Sequence, residues 1–414
     1  FLVLVLMRYS IGRDIGLVLA KGIAISLITV MLLTPAVILR TYKKIEKTQH
    51  KYIIPSFKTT AEKIHRFRVP IAIILILLTV PSFFGRSMTG LHYGNDAMGL
   101  SVGTKVYEDD KKINSIFGRS NLVLLILPNT SMVTEKKLSD EIEALPYVKN
   151  VTSLANTIPQ GVPENFLPEN LTSKLHTKDY ARILVPIRTA NESELAFSSV
   201  AEITKIANEY YPEKAYVIGA TPSTMDIKSV IADDWTKIEK LSLLGVALAI
   251  MIAFRSLALP FILVIPILMA IFINMMVPYL QGDQIMFMGF IIVSCLQLGA
   301  TIDYSIVMTY HYLEHRKNED KVTASIKATA DSMPPILMSG LILSVAGFGV
   351  YFLSSVTAIS DLGILIGRGA LLSMLMVIAL LPSLFVWADK LILKSSTNLL
   401  HEDESQYLEL KEGK

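Results

Sequence analysis

A set of apolar runs, each close to the roughly 20 residues that carry an α-helix across a bilayer, constrains this chain more than anything else in it. Seven are predicted as membrane spans: Ile15 to Leu39, Val69 to Phe84, Leu241 to Phe254, Leu259 to Leu280, Ile285 to Tyr312, Pro334 to Leu353 and Leu362 to Trp387. Of 414 residues, 52% are hydrophobic and 18% charged. That balance leaves too little polar surface for a soluble globule. The stretch Phe1 to Met7 is apolar but has neither a basic leader nor a small-residue cleavage site, so it reads as the end of a truncated helix, not a signal peptide.

Basic residues near helix ends set the orientation. Arg40 to Arg68 holds nine Lys and Arg against Glu46 and Glu62 and is predicted to be cytoplasmic. Counting crossings from there puts residues 86–236 outside, and the Arg255 turn, the Glu314 to Asp331 loop and the tail inside. The expected organisation is the end of a first transmembrane repeat (1–40), a basic cytoplasmic linker (41–68), a membrane helix (69–85), an extracytoplasmic domain (86–236), a five-helix bundle (237–390) and a cytoplasmic tail (391–414). The inner loops account for the net charge of +3, so nothing points to a nucleic-acid partner.

The outer segment alternates strand-like and helix-like pieces. Asn121 to Leu127, Val148 to Thr152, Ala181 to Ile187 and Ala215 to Ile218 read as strands, and Thr134 to Leu145 and Glu192 to Glu209 as helices. The βαββαβ order suits a ferredoxin-like α+β sandwich. The Pro- and Asn-containing stretch Asn156 to His176 is expected to be an exposed loop.

The first predicted span matches the last without a gap, at a constant offset of 347 positions. Asp14 falls on Asp361, Gly16 on Gly363, Lys21 on Arg368, Gly22 on Gly369, Ser26 on Ser373, Leu33 on Leu380 and Pro35 on Pro382. The chain therefore reads as the end of one repeat followed by a second. Parallel repeats of this kind are a transporter signature.

Intramembrane chemistry narrows to Asp303, in the run Gly299-Ala-Thr-Ile-Asp303-Tyr304-Ser305. An aspartate at a helix centre costs about 2.5 to 3.5 kcal/mol on translocon scales, and such residues mark proton and ion pathways. Burial favours the neutral acid and a nearby cation the carboxylate, so Asp303 is expected to load a proton outside and release it inside, with Tyr304 as hydrogen-bonding neighbour. The bland alternative is a neutral aspartate that ties two helices together. Lys21 and Arg368 sit about two turns into their helices, where snorkelling to the outer headgroups is favoured over an inward role as counter-ions. Gln297, Ser294, Ser339 and Ser344 suit helix–helix hydrogen bonding as well as proton conduction. His311, Glu314 and His315 match an H-x-x-E-H metalloprotease order, but no third ligand is apparent and the run sits at a helix end beside a basic loop. A solvated face explains it better than zinc. No metal or cofactor is implied, and the single Cys295 reads as packing.

With Gly299, Asp303 and Tyr304 in the pattern Gly-x-x-x-Asp-Tyr, Ser339-Gly-Leu with Gly347-Phe348, and the closing Gly369 and Leu381-Pro382, the chain resembles the MMPL branch of the resistance-nodulation-division (RND) superfamily over its whole length. The resemblance implies an α-helical polytopic membrane protein with an extracytoplasmic ferredoxin-like porter domain, acting in the cell membrane as a proton-driven exporter of lipids or other hydrophobic compounds. It implies a relay of paired Asp-Tyr motifs on the fourth and tenth helices, of which Asp303 and Tyr304 are half. The partners it implies are an N-terminal half of the same transporter, a lipid-like substrate, membrane lipids and protons, and it is compatible with a homo-oligomer. A SecDF-like translocation helper and a sterol-sensing or receptor protein are the competing classes.

Overall fold

The computed structural model describes residues 1–48, 57–94, 104–158 and 169–395. A 3-10 turn at Leu2–Leu6 precedes helices α1 (Ser10–Lys47), α2 (Lys58–Arg66) and α3 (Arg68–Met88). Next come β1 (Gly90–His92), α4 (Lys105–Phe117), β2 (Asn121–Pro128), α5 (Met132–Glu143), α6 (Leu154–Thr157), α7 (Glu169–Leu175), β3 (Tyr180–Ile187), α8 (Glu194–Tyr210) and β4 (Tyr216–Gly219). The chain then runs through α9 (Ala220–Phe254), α10 (Leu259–Gln281), β5 (Gln284–Met286), α11 (Phe287–Arg316), α12 (Lys321–Leu353) and α13 (Thr357–Ser395). It is a largely helical, multi-span membrane protein with some strand content. Two compact units divide it, one of residues 1–91, 233–354 and 359–414, the other of 92–232 with 355–358.

Six helices, α1, α3, α10, α11, α12 and α13, are long and apolar enough to cross a membrane. The seventh expected span is not among them. Leu241 to Phe254 is the end of the 35-residue α9, and the 18 residues closing that helix include Lys237, Glu239 and Lys240. Two boundaries also move. The first basic residues expected in the linker, Lys43, Lys44 and Lys47, continue α1, and residues 49–56 of that linker lie outside the described residues. The helix start expected at Pro334 is not found there, as α12 begins thirteen residues earlier at Lys321. Its N-terminus is set by Asp320, whose carboxylate accepts from the N–H groups of Val322 and Thr323. The prolines lie within the helix, a placement that membrane helices tolerate. The expected Glu314 to Asp331 loop thus shortens to a four-residue turn, Lys317 to Asp320.

The repeat is visible in the backbone. α1 and α13 begin at Ser10 and Thr357, 347 positions apart, and run for 38 and 39 residues. Where α13 crosses α12, Gly347, Gly363 and Gly367 bring the backbones together: a Cβ at Gly347 would lie 2.4 Å from the Gly367 nitrogen, and one at Gly363 would lie 2.6 Å from the Tyr351 nitrogen. Small residues at such crossings let membrane helices approach closely. Gly16, the counterpart of Gly363, repeats the contact against Leu4, Phe1 and Val5. The core of this unit, built on α10, α11 and α13, includes Ile267, Met275, Phe290, Val293, Tyr304, Tyr312, Val377 and Phe385.

In the other unit β2 is central, paired antiparallel with β3 on one side and β4 on the other. Val148 to Thr152, expected as a strand, makes only isolated antiparallel bridges from Val148 to Ile187 and from Thr152 to Leu184. It lies along the outer edge of β3 without forming a regular ladder. Alternate residues of β2 and β3, among them Val123, Leu125, Ile183 and Val185, are buried with Leu138 and Ile142 of α5 and Val200 and Ile203 of α8, as a sheet covered on one face requires. Within the expected Asn156 to His176 loop, residues 159–168 lie outside the described residues, α7 is helical, and His176 is buried with its Nε2 2.7 Å from Glu135 Oε2.

Glu192 fixes the start of this unit, accepting from the backbone N–H groups of Tyr93 at 2.8 Å and Gly94 at 3.1 Å, with His92 Nδ1 at 3.5 Å. Burial alone would raise its proton affinity, but His92 and the two N–H groups outweigh that and hold the carboxyl below the usual carboxylate range. A lowered carboxyl stabilises the fold above its unfolded value, and that contribution disappears as pH falls through the folded one. Amide protection at Tyr93 and Gly94 is therefore expected to fall as pH drops below the ordinary glutamate value of 4.5. Glu192→Gln should show the loss already at neutral pH, by about 1–2 kcal/mol in hydrogen exchange.

Candidate functional site

α11 presents two polar faces. On one, Asp303 is exposed in mid-helix, and its Oδ1 accepts from the Tyr304 backbone N–H at 2.9 Å. No cation pairs with it among the described residues. One turn earlier, Gly299 lies on the same face, with the Phe1 ring 3.7 Å from where a Cβ would stand. Tyr304 points the other way and is buried, with Ser339 of α12 as its polar neighbour.

The second face carries Gln297, 3% exposed, at the centre of a three-helix polar cluster. Asn274 of α10 donates from its amide to Gln297 Oε1 at 3.0 Å and to the Leu365 carbonyl at 2.9 Å. Gln297 in turn donates to the Gly369 carbonyl at 3.2 Å and to Ser373 Oγ at 3.0 Å. Arg368 closes the cluster, its Nε donating to Asn274 Oδ1 at 2.7 Å and its Nη2 to the Asn274 carbonyl at 3.0 Å. The favoured expectation for Arg368 is thereby corrected. It does not snorkel outward, and its inward partners are the neutral oxygens of Asn274, not Asp303.

Ser344 donates to the Gly367 carbonyl at 2.8 Å, a bond from α12 to α13, whereas Ser294 bonds within its own helix to Phe290. Lys21 is exposed on α1, and nothing lies within 4 Å of a Cβ placed on Gly22. His315 Nε2 lies 2.7 Å from Asp331 Oδ2, and His311 Nδ1 lies 3.7 Å from Glu314 Oε2, so the two histidines turn to different partners.

Sequence reasoning missed two parts of this assembly. Asn274 stands out as the amide in the interior of the apolar α10, a signal that was available in its composition. At the far end of α11, Asp389 of α13 accepts from the Tyr312 hydroxyl at 2.6 Å and from Arg316 Nε and Nη2 at 2.9 and 3.2 Å, while the Tyr312 ring stacks on Phe385 with centroids 4.5 Å apart. No local pattern links residues more than seventy positions apart. An apolar cavity of about 200 Å³ opens between α9, α10 and α11, lined by Trp235, Leu243, Leu268, Phe272, Ile291 and Leu298. Its rim residue Glu239 pairs with Arg86 of α3 at 2.7 Å.

Residues 110–400 match the family described as MMPL. Over 354 residues the sequence is 23% identical to the membrane protein YdgH of Bacillus subtilis (strain 168), covering 80% of this chain and 38% of that one. The structure is similar to that of SecDF, a translocon-associated membrane protein from Thermus thermophilus, with a TM-score of 0.51 and 12% identity, over 92% of this chain and 45% of the other. The chain thus spans less than half the length of either.

The Asp389 tie generates a stability prediction. Asp389→Ala leaves Arg316 and Tyr312 without their acceptor and is expected to cost about 2–3 kcal/mol, against about 1 kcal/mol for Tyr312→Phe. Thermal unfolding of the detergent-solubilised protein measures both.

Proposed function

Because the chain belongs to the MMPL family, with a transporter-like membrane architecture, we propose that it is part of a proton-motive-force-driven antiporter that exports lipids or other hydrophobic compounds across the cytoplasmic membrane. One observation carries this reading. Asp303 is a carboxylate in the middle of a membrane-length helix, on an open face with no cation beside it among the described residues. A site so costly in hydrocarbon is maintained for proton or ion passage. Tyr304, Gly299 and Ser339 flank the relay in this reading.

The face bearing Asp303 is completed by a first half of the transporter, as is α1, whose most apolar stretch has no buried residue, whereas 72% of the most apolar stretch of its counterpart α13 is buried. The lengths of the two relatives accommodate such a half. Residues 86–236 form an extracytoplasmic porter domain, with α9 crossing as a further span whose Lys237 to Lys240 turn lies at the headgroups. Its edge order, 148–152 beside β3, then β2, then β4, supports the ferredoxin-like reading. The largely apolar cavity beside α10 suits the apolar part of a cargo. The likeness to SecDF favours a second reading, in which proton passage assists polypeptide movement and no hydrophobic cargo is carried.

Nile Red serves as an apolar fluorescent probe of export. Energised cells carrying the full-length protein are expected to extrude it, a protonophore to abolish extrusion, and Asp303→Asn to lower it at least tenfold without loss of the protein from the membrane. Extrusion at the wild-type rate by Asp303→Asn would sink the relay assignment. Protonophore-insensitive extrusion would sink proton coupling, and no extrusion by the wild type would favour the second reading.

A further inference from the structure

We propose that Arg368 is a positioning residue whose guanidinium, seated on Asn274, fixes α13 against the helix that carries Asp303, and that Lys21 occupies the equivalent seat in the other repeat. The inference rests on the relay reading of Asp303 given above.

A guanidinium in a membrane span is kept there only by specific partners, and here the backbone supplies one. In a regular helix the carbonyl of residue 274 would accept from the N–H of residue 278, but residue 278 is proline and has none. The Asn274 carbonyl is freed by that proline, and Arg368 Nη2 donates to it at 3.0 Å while Nε holds the side-chain oxygen at 2.7 Å. The other end of the Asn274 side chain donates to Gln297, which reads Gly369 and Ser373 on the next two turns of α13. Three helices are thus locked by one chain of bonds.

The cluster closes only because residue 369 is glycine. A Cβ there would stand 2.6 Å from Gln297 Oε1 and 2.7 Å from Asn274 Nδ2. Arg368-Gly369 and Ser373 are therefore a set, and the set recurs as Lys21-Gly22 and Ser26 on α1. On α1 all three residues are exposed, and Gly22 has no neighbour that would exclude a side chain. Packing among the described residues gives no reason for a cation, a glycine and a serine in that register. A polar cluster of the same design on helices of the other repeat does.

Gln297 precedes Asp303 by six residues, roughly 9 Å along the axis of α11, and the helix between them is continuous. A shift of α13 is thereby transmitted to the carboxylate as a shift of α11, and the charge of Arg368 bears on its proton equilibrium. No carboxylate meets Arg368 among the described residues; its contacts on α10 and, through Asn274, on α11 and α13 are all neutral.

The test uses full-length protein in energised cells, with Nile Red extrusion measured from about pH 5.5 to 8.5. Arg368→Leu is expected to lower extrusion about tenfold and to move the acid limb of the pH profile upward by at least about half a unit, since losing a cation favours the neutral acid. Arg368→Lys should restore at least half of the rate. Lys21→Met should behave as Arg368→Leu does. If Arg368→Leu fails to accumulate in the membrane, Asn274→Asp keeps the Arg368 contact while giving up the amide donations to Gln297 and Leu365, adds a negative charge and is expected to move the limb in the same direction. An unmoved pH profile in Arg368→Leu, or in Asn274→Asp where that variant is the one used, overturns the positioning role, and wild-type extrusion by Lys21→Met overturns the equivalence of the repeats. Loss of coupling in Asp303→Asn with unchanged Arg368 variants would refute this inference alone, whereas wild-type extrusion by Asp303→Asn would refute the relay reading beneath it.

Discussion

Hydrocarbon offers no hydrogen-bonding partner, so every polar group carried into the membrane must find one within the protein, and the architecture of this chain is largely a record of how that demand is met. The backbone meets it by forming helices. Where a proline removes an N–H, as Pro278 does for Asn274, a side chain from another helix is recruited. Where two helices must touch without space for side chains, glycines at 347, 363 and 367 let the backbones close. The cluster of Asn274, Gln297, Arg368 and Ser373 and the tie of Tyr312, Arg316 and Asp389 answer the same demand nearer the two ends of α11.

Asp303 stands apart as a charge-bearing group on the open face of the helix, accepting from a backbone N–H and meeting no cation among the described residues. Its counterpart in exposure is α1, whose apolar surface is uncovered although the equivalent α13 is packed. Both observations concern the surface at which a second half would sit in the proposed transporter. A carboxylate at such a seam can gain or lose a partner when two halves move relative to each other, which is the physical requirement for coupling a proton to a conformational step.

Much of this was legible in the sequence. Long apolar runs identified the six membrane-length helices, and the 347-residue register foretold that α1 and α13 would start at equivalent positions. The sheet residues of the second unit were readable as short apolar runs bounded by turn residues, apart from 148–152, which meets β3 through isolated bridges only. What failed depended on tertiary context. Pro334-Pro335 resembles a helix start until the bundle around it is known. Arg368 looked free to snorkel because nothing local shows that Pro278, ninety residues away, leaves an acceptor waiting for it. Asn274 carried a usable signal as a polar residue in an apolar run, while the pairing of Tyr312 with Asp389 carried none.

In the proposed transporter Asp303 takes up and releases a proton inside the membrane, and dicyclohexylcarbodiimide, an apolar reagent that attacks protonated carboxyl groups, reads that directly. With full-length protein in native membranes, mass analysis of the peptide containing Asp303 is predicted to show modification that is strong at acidic pH and declines through the neutral range. An Asp303 that is unmodified at every pH, or modified to the same extent throughout, would contradict it.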